Sequence, residues 1–474
     1  MMPRYQIEAR LDPATARLTG HARIVLRNAS PNPLRQIVLR LDQNRFRQQR
    51  RGDGAGVGSG GMTVTHLAVD GTAAVIGRAG VMSRPSLAGA GTTSATVALT
   101  SPLRPEGSLT LEIDWHYIVP RDDSSGALRQ GRWGNAVFQM GQWYPRVAMY
   151  DDLNGWDTTS FTGEVEFYNP FARFDVSIDV PAGWLVGATG MLVNPRQVLS
   201  EQSILRLANA LRTDSLVSVA NARERGVTRA GNRLRWRFVA DSVRDFAWGT
   251  SADYSWRVVR AAVAERDTIL VHMLHTMKHA AGFDSAGPIV RRELARNSTL
   301  MGAYPYPQHT LLDGPEGGME YPMLTMSDGT RLVHEIWHQW FPMMVGTNET
   351  WYSFLDEGFS TYLAGVRETE LVGPRPIASR SQPRAAPLIW PDDHEAPGWL
   401  AAISGYGRPT EMFRALEQRV GRPEVLRALR AYVSEWRFKH PSPWDFMLSM
   451  NRNLGLRLDD FWYRWIFTTS DVGQ

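Results

Sequence analysis

The chain has 474 residues, enough for two or three domains with sizeable cores, and its 43% hydrophobic and 21% charged residues describe a globular protein. It contains no cysteine, which excludes disulfide scaffolds, cysteine nucleophiles and thiolate metal sites, so any metal must be held by His, Asp and Glu. The 52 basic and 48 acidic residues leave a net charge of +4 and are spread out rather than clustered, which argues against a nucleic-acid surface.

In chain order, short alternating runs predict strands over residues 5–10, 22–26, 36–41, 109–115 and 173–180, separated by Gly, Pro, Asn and Asp clusters. Residues 52–61 (GDGAGVGSGG) and 79–93 read as loops, and the basic residues at 47–51 as a solvated loop beside the first. After about residue 250 the periodicity becomes helical. Helices are predicted over 286–300, 329–342, 353–370, 410–420, 424–436, 444–453 and 458–467, with a long Pro-rich surface loop over 374–399. The division that follows is an N-terminal β domain, residues 1–248, and a mostly helical domain, residues 249–474. No apolar run approaches the ~18 residues of a membrane helix, and the first twenty residues lack the apolar core of a signal peptide. Cytoplasmic and exported locations both stay open.

One segment carries chemistry: RLVHEIWHQW, with His334, Glu335 and His338. On a helix, positions i and i+4 lie one above the other, so two imidazoles can share one zinc ion, and the glutamate after the first can reach a water there. A chain of this composition contains the pattern by chance about one time in a hundred. Glu357, in SFLDEGFSTYL, follows His338 after eighteen residues and supplies a third ligand. Two His and one Glu form a catalytic set with its fourth position open.

HEIWH followed by LDEGF at this spacing resembles the gluzincin pattern of the aminopeptidase N family, which includes the leukotriene-A hydrolases. A second point of similarity is GGMEY, Gly317 to Tyr321, shortly before the HEIWH segment, where the family motif ends in Asn rather than Tyr. The resemblance implies that Glu320 holds a substrate's α-ammonium and that Gly317, Gly318 and Met319 lie along the substrate. A third lies in SGYGRPTEMF: Tyr406 matches the phenol that donates to the oxyanion, with Arg408 in place of a lysine. QMGQWYPR, GEVEFY, VRDFAWG, HPSPWDF and DDFWYRW look familial too. They make Gln139 a substrate contact, while Gly141 stands where relatives carry a second amine-binding Gln or Glu.

The resemblance therefore implies a saddle- or sandwich-like β domain followed by a thermolysin-like catalytic domain with one Zn²⁺ per chain. The implied reaction is removal of N-terminal residues from peptides, amides or arylamides, with Glu335 as base. It also implies a more open cleft, since relatives continue beyond DDFWYRWIFTTS into a helical domain. Zinc endopeptidase, epoxide hydrolase and non-catalytic scaffold are the alternatives. His272, His275 and His279, at i, i+3 and i+7, read as a polar helix face rather than a second metal site. The aromatic residues at 337, 340, 341, 351, 352 and 354 read as packing around the HEIWH helix.

Overall fold

Alternation becomes sheet in the first half of the chain. In the strand Arg4–Asp12, Tyr5, Ile7, Ala9 and Leu11 turn inward while the charged residues between them face solvent. Ser108–Ile118 repeats the pattern with Leu109, Leu111, Ile113, Trp115 and Tyr117. These strands belong to an eight-stranded sheet, antiparallel except where Arg4–Asp12 lies parallel to Ala172–Pro181. A five-stranded sheet, a four-stranded sheet and a two-stranded ribbon of Tyr150–Asp151 with Gly155–Trp156 complete this module among the described residues. The structure, a computed structural model, describes residues 2–47, 60–77, 83–121, 129–133, 136–163, 166–263, 266–315, 317–372, 387–392 and 402–469. The glycine-rich loop at 52–59 and most of the Pro-rich loop at 374–399 lie outside these residues. The loop expected over 79–93 contains the strand Ser86–Ala88, whose Ser86 and Leu87 are buried.

The second half is less purely helical than its periodicity suggests. Ser255–Val263, Arg266–His275, Gln308–Leu312, Leu324–Ser327 and Gly318–Tyr321 are strands of one sheet, with Val217–Ala220 at its far edge. In Arg266–His275 the apolar residues Ile269, Val271, Met273 and Leu274 are all buried, a run that periodicity alone does not distinguish from a buried helix. The 22-residue helix Ala280–Met301 carries the chain between the parallel strands Arg266–His275 and Gln308–Leu312, burying Phe283, Ala286, Val290 and Leu294. Val217–Ala220 belongs to this second sheet and Trp248–Ser251 to the four-stranded sheet of the first module, so the two modules interlock around residue 248.

The helices expected near the carboxy terminus form as Arg408–Val420, Arg422–Trp436 and Pro443–Leu454. Pro443–Leu454 opens with a capping box between Ser442 and Asp445. Their aromatic core centres on Phe359, with Phe341, Phe413 and Phe446 at ring-centroid distances of 4.9–5.0 Å. Buried ion pairs tie the first module down. Arg146 bridges Asp42 and Asp245, and Arg244 pairs with Glu349 while donating to the carbonyls of Phe167, Pro342 and Thr347. QMGQWYPR and VRDFAWG thus contribute much of this framework.

Candidate metal centre

The HEIWH segment folds as the short helix Leu332–Trp337, and His338 continues it with helical dihedrals. His334 and His338 therefore project from one face. Glu357 opens the next long helix, Glu357–Val372, and turns its carboxylate to both rings. His334 Nε2 lies 2.9 Å from Glu357 Oε2 and 3.1 Å from His338 Nε2, and His338 Nε2 lies 3.6 Å from the same oxygen. Ligands on a tetrahedral zinc with bonds of about 2.0–2.2 Å are separated by about 3.3–3.6 Å, so this triangle of two imidazoles and one carboxylate fits the ion in size and donor chemistry.

The surrounding groups orient these donors. His338 Nδ1 faces Asp356 Oδ1 at 2.5 Å and the Phe341 carbonyl at 3.0 Å, which leaves Nε2 for a metal. Burial works against a charge on His338, but the Asp356 carboxylate raises its pKa well above the usual imidazole range. Burial also opposes ionisation of Glu357. The hydrogen bond with His334 and the charge of both imidazoles outweigh it and bring the carboxyl down to about 2. The Tyr406 hydroxyl donates to Glu357 Oε1, and its ring stacks 6.1 Å from that of His334. Tyr406 sits in the π-helical turn Ala402–Gly407, a geometry frequent at functional sites. Arg408 holds that turn by donating to the carbonyls of Arg464, Trp465 and Thr468.

The GGMEY segment forms the edge strand Gly318–Tyr321, antiparallel to Leu324–Ser327. Strand alternation sends Gly318 and Glu320 to one face and Met319 and Tyr321 to the other. A Cβ on Gly318 would stand 3.0 Å from Glu335 Oε1, so the carboxylate of Glu335 lies against the bare backbone of this strand. Burial raises the pKa of both Glu335 and Glu320. Glu320 lies within 4.8 Å of His338 and Asp356, and its Oε1 is buried with no hydrogen-bond partner. A Cβ on Gly317 would meet only the Asp328 carboxylate, at 3.9 Å. Met319 packs on the Arg129 guanidinium. Gln139 is fully buried in Val137–Met140, its amide donating to the Leu312 carbonyl at 3.3 Å and packed beneath Gly314.

Three carboxylates that the sequence left without a role join this site. Asp356 directly precedes Glu357 in LDEGF, Glu166 lies in GEVEFY and Glu349 pairs with Arg244. Together with Glu320 they bring four carboxylate oxygens within 4.8 Å of one another. Asp356 was legible as a second acid beside a ligand, whereas Glu166 lies 154 residues before Glu320 and only the fold brings them together. The helix face expected for His272, His275 and His279 does not form. The first two lie in Arg266–His275, where a buried apolar run makes strand, and His279 bonds Asp313 at 2.7 Å. They form no metal-ligating cluster among the described residues. Trp337, Trp340 and Phe341 are buried in and after the HEIWH helix, as expected, whereas Trp351 reaches across to Thr159.

The fold is that of M1 zinc metallopeptidases. The M1 zinc metallopeptidase from Deinococcus radiodurans superposes with a TM-score of 0.66 over 99% of this chain and 94% of its own, at 18% identity. A point mutant of the Deinococcus radiodurans M1 zinc metallopeptidase, bound to a Tyr-Ser-Ala substrate, gives 0.67 over 99% and 95%, at 17% identity. Legionella pneumophila aminopeptidase A in complex with aspartic acid gives 0.64 over 98% of this chain but 49% of its own, at 13% identity. No protein-family model and no curated protein matches the sequence.

Proposed function

We propose that this chain is a zinc-dependent aminopeptidase that removes N-terminal residues from peptides and from aminoacyl amides. The observation that carries the reading is the triangle of His334, His338 and Glu357 beside an edge strand whose Glu320 presents a buried, unpartnered carboxylate oxygen. The fold likeness agrees with it, and solved relatives of that fold bind single amino acids and a tripeptide.

His334, His338 and Glu357 hold one zinc, which when bound supplies Lewis-acid polarisation and acidifies water. An extended peptide pairs along the open side of Gly318–Tyr321, where Gly318 gives its backbone room beside Glu335. Glu320 fixes the substrate's ammonium group and so sets the cut one residue from the terminus. Glu335, lying between that strand and the histidines, takes a proton from the attacking water and returns it to the leaving nitrogen. Tyr406, half-exposed above His334, turns its hydroxyl from Glu357 to the developing oxyanion, a contribution of about 10²–10³ in rate. Gln139 supports the wall of the cleft through Leu312 and Gly314.

The test compares aminoacyl-arylamides with their N-acetylated forms on the zinc-loaded wild type, Glu320→Ala and Glu335→Ala. Turnover restricted to free amines, abolished in Glu335→Ala and much weakened in Glu320→Ala, is expected. Equal turnover of the acetylated substrates would make the protein an endopeptidase or general amidase instead.

A further inference from the structure

Position 141 cannot supply an amine ligand in this chain. A Cβ on Gly141 would overlap the Tyr321 hydroxyl and the Arg129 carbonyl, so any side chain there is excluded by groups already in place. Tyr321 is fully buried, with its ring edge-on to Phe167 at 5.3 Å. The two departures of the sequence, Gly at 141 and Tyr at 321, are therefore one structural feature: the phenol fills the space that the glycine leaves.

The residue whose carbonyl closes that space also positions another acid. Arg129 donates through Nη2 to Glu166 Oε1 at 2.6 Å and through Nε to the Gly163 carbonyl at 3.2 Å, and its guanidinium rests on Met319. Glu166 is the most exposed member of the four-carboxylate cluster, its side chain 15% accessible, while Glu320, Glu349 and Asp356 are buried. Two of the buried acids already have cationic or donor partners, Glu349 on Arg244 and Asp356 on His338. Glu320 Oε1 has none. Four carboxylates so close repel one another unless some stay protonated or a cation lies among them, and the guanidiniums of Arg129 and Arg244 serve only two.

We propose that Glu166 is the second anchor of the substrate's α-ammonium group, so that the ammonium lies between the carboxylates of Glu166 and Glu320 and Arg129 is the positioning residue for Glu166. This rests on the aminopeptidase reading and adds a residue to its amine subsite. An ammonium has three N–H donors and is satisfied by two carboxylates converging from different elements, here the segment before Ala172–Pro181 and the edge strand Gly318–Tyr321. The consequence is strict selection for a charged terminal amine even though position 141 carries no side chain.

The experiment measures kcat and KM for a leucyl arylamide, together with calorimetric binding of leucine amide and of its des-amino isostere, 4-methylpentanamide. It uses the zinc-loaded wild type, Glu166→Gln and Glu166→Asp, with zinc content and thermal midpoint recorded for each. Glu166→Gln is expected to lose about 10- to 100-fold in kcat/KM, chiefly through KM, and to lose affinity for leucine amide by a similar factor. Binding of the des-amino compound and zinc content stay unchanged, and Glu166→Asp recovers part of the loss. If Glu166→Gln keeps the wild-type preference for leucine amide over its isostere, or loses affinity for both compounds equally, Glu166 does not hold the amine. A wild type that turns over no free-amine substrate would overturn the aminopeptidase reading itself, a separate result.

Discussion

Gly141→Ala is the sharpest test of the packing that Gly141, Tyr321 and Arg129 share. The new methyl would overlap Tyr321 Oη and the Arg129 carbonyl oxygen, and would stand only 2.8 Å from Tyr321 Cζ. Neither neighbour can swing aside. Tyr321 has no exposed surface, and Arg129 is pinned by Glu166 and Gly163. Overpacking a core by one methyl costs about 1–3 kcal/mol, and an obstacle made partly of backbone puts this site at the upper end, about 2–3 kcal/mol. Tyr321→Phe removes the nearer obstacle. Because that hydroxyl is buried without a partner, the single substitution should be neutral or stabilising by up to about 1 kcal/mol. The double variant should recover part of the loss, giving a coupling of about 1 kcal/mol. Urea unfolding of all four proteins at fixed zinc reads this directly. A Gly141→Ala stability within about 0.5 kcal/mol of wild type, or effects that simply add, would refute the claim that positions 141 and 321 share one space.

Other expectations follow from the same geometry. Asp356→Ala leaves His338 Nδ1 with the Phe341 carbonyl and Ser360, and should weaken zinc binding about 10- to 100-fold, read by competition with a chromophoric chelator. Glu335→Gln should lower kcat by about 10²–10⁴ with zinc content intact, and stoichiometric zinc with unchanged turnover would remove Glu335 as the base. Arg244→Met breaks a fully buried pair and strands Glu349, so a loss of about 3–5 kcal/mol is expected in urea unfolding; a change below about 1 kcal/mol would contradict it. His309 is fully buried between Tyr304 and Thr325, and burial followed by the charge of His272 lowers its pKa to about 3. The unfolded chain, with an imidazole near ~6.5, then takes up the proton first, so this contribution is complete above pH ~6.5 and is lost as pH falls towards ~3, by at most about 1.4 kcal/mol per unit. Wild type should therefore lose stability between about pH 7 and 4.5 more steeply than His309→Gln, and equal slopes would show that the ring titrates normally.

The sequence by itself singled out His334, His338 and Glu357, the three residues whose donor atoms the fold brings together, because i, i+4 spacing on a helix and a glutamate at the head of the next are local facts. It also determined the amino-terminal strands, whose alternation is a two-residue signal, and the carboxy-terminal helices, whose caps and periodicity are equally local. Tertiary structure decided the rest. Arg266–His275 is a strand because sheet partners and the helix Ala280–Met301 cover it, and a segment with apolar residues on its buried face and its half-buried face carries no clear period in the sequence. Glu166 joins Glu320, and Gly141 faces Tyr321, across separations of 154 and 180 residues. Nothing in the chain between those positions specifies their meeting. Which acid lies beside which, and which glycine makes room for which ring, follow from long-range packing of two interlocked modules, because burial and charge act on distance in space and not on distance along the chain.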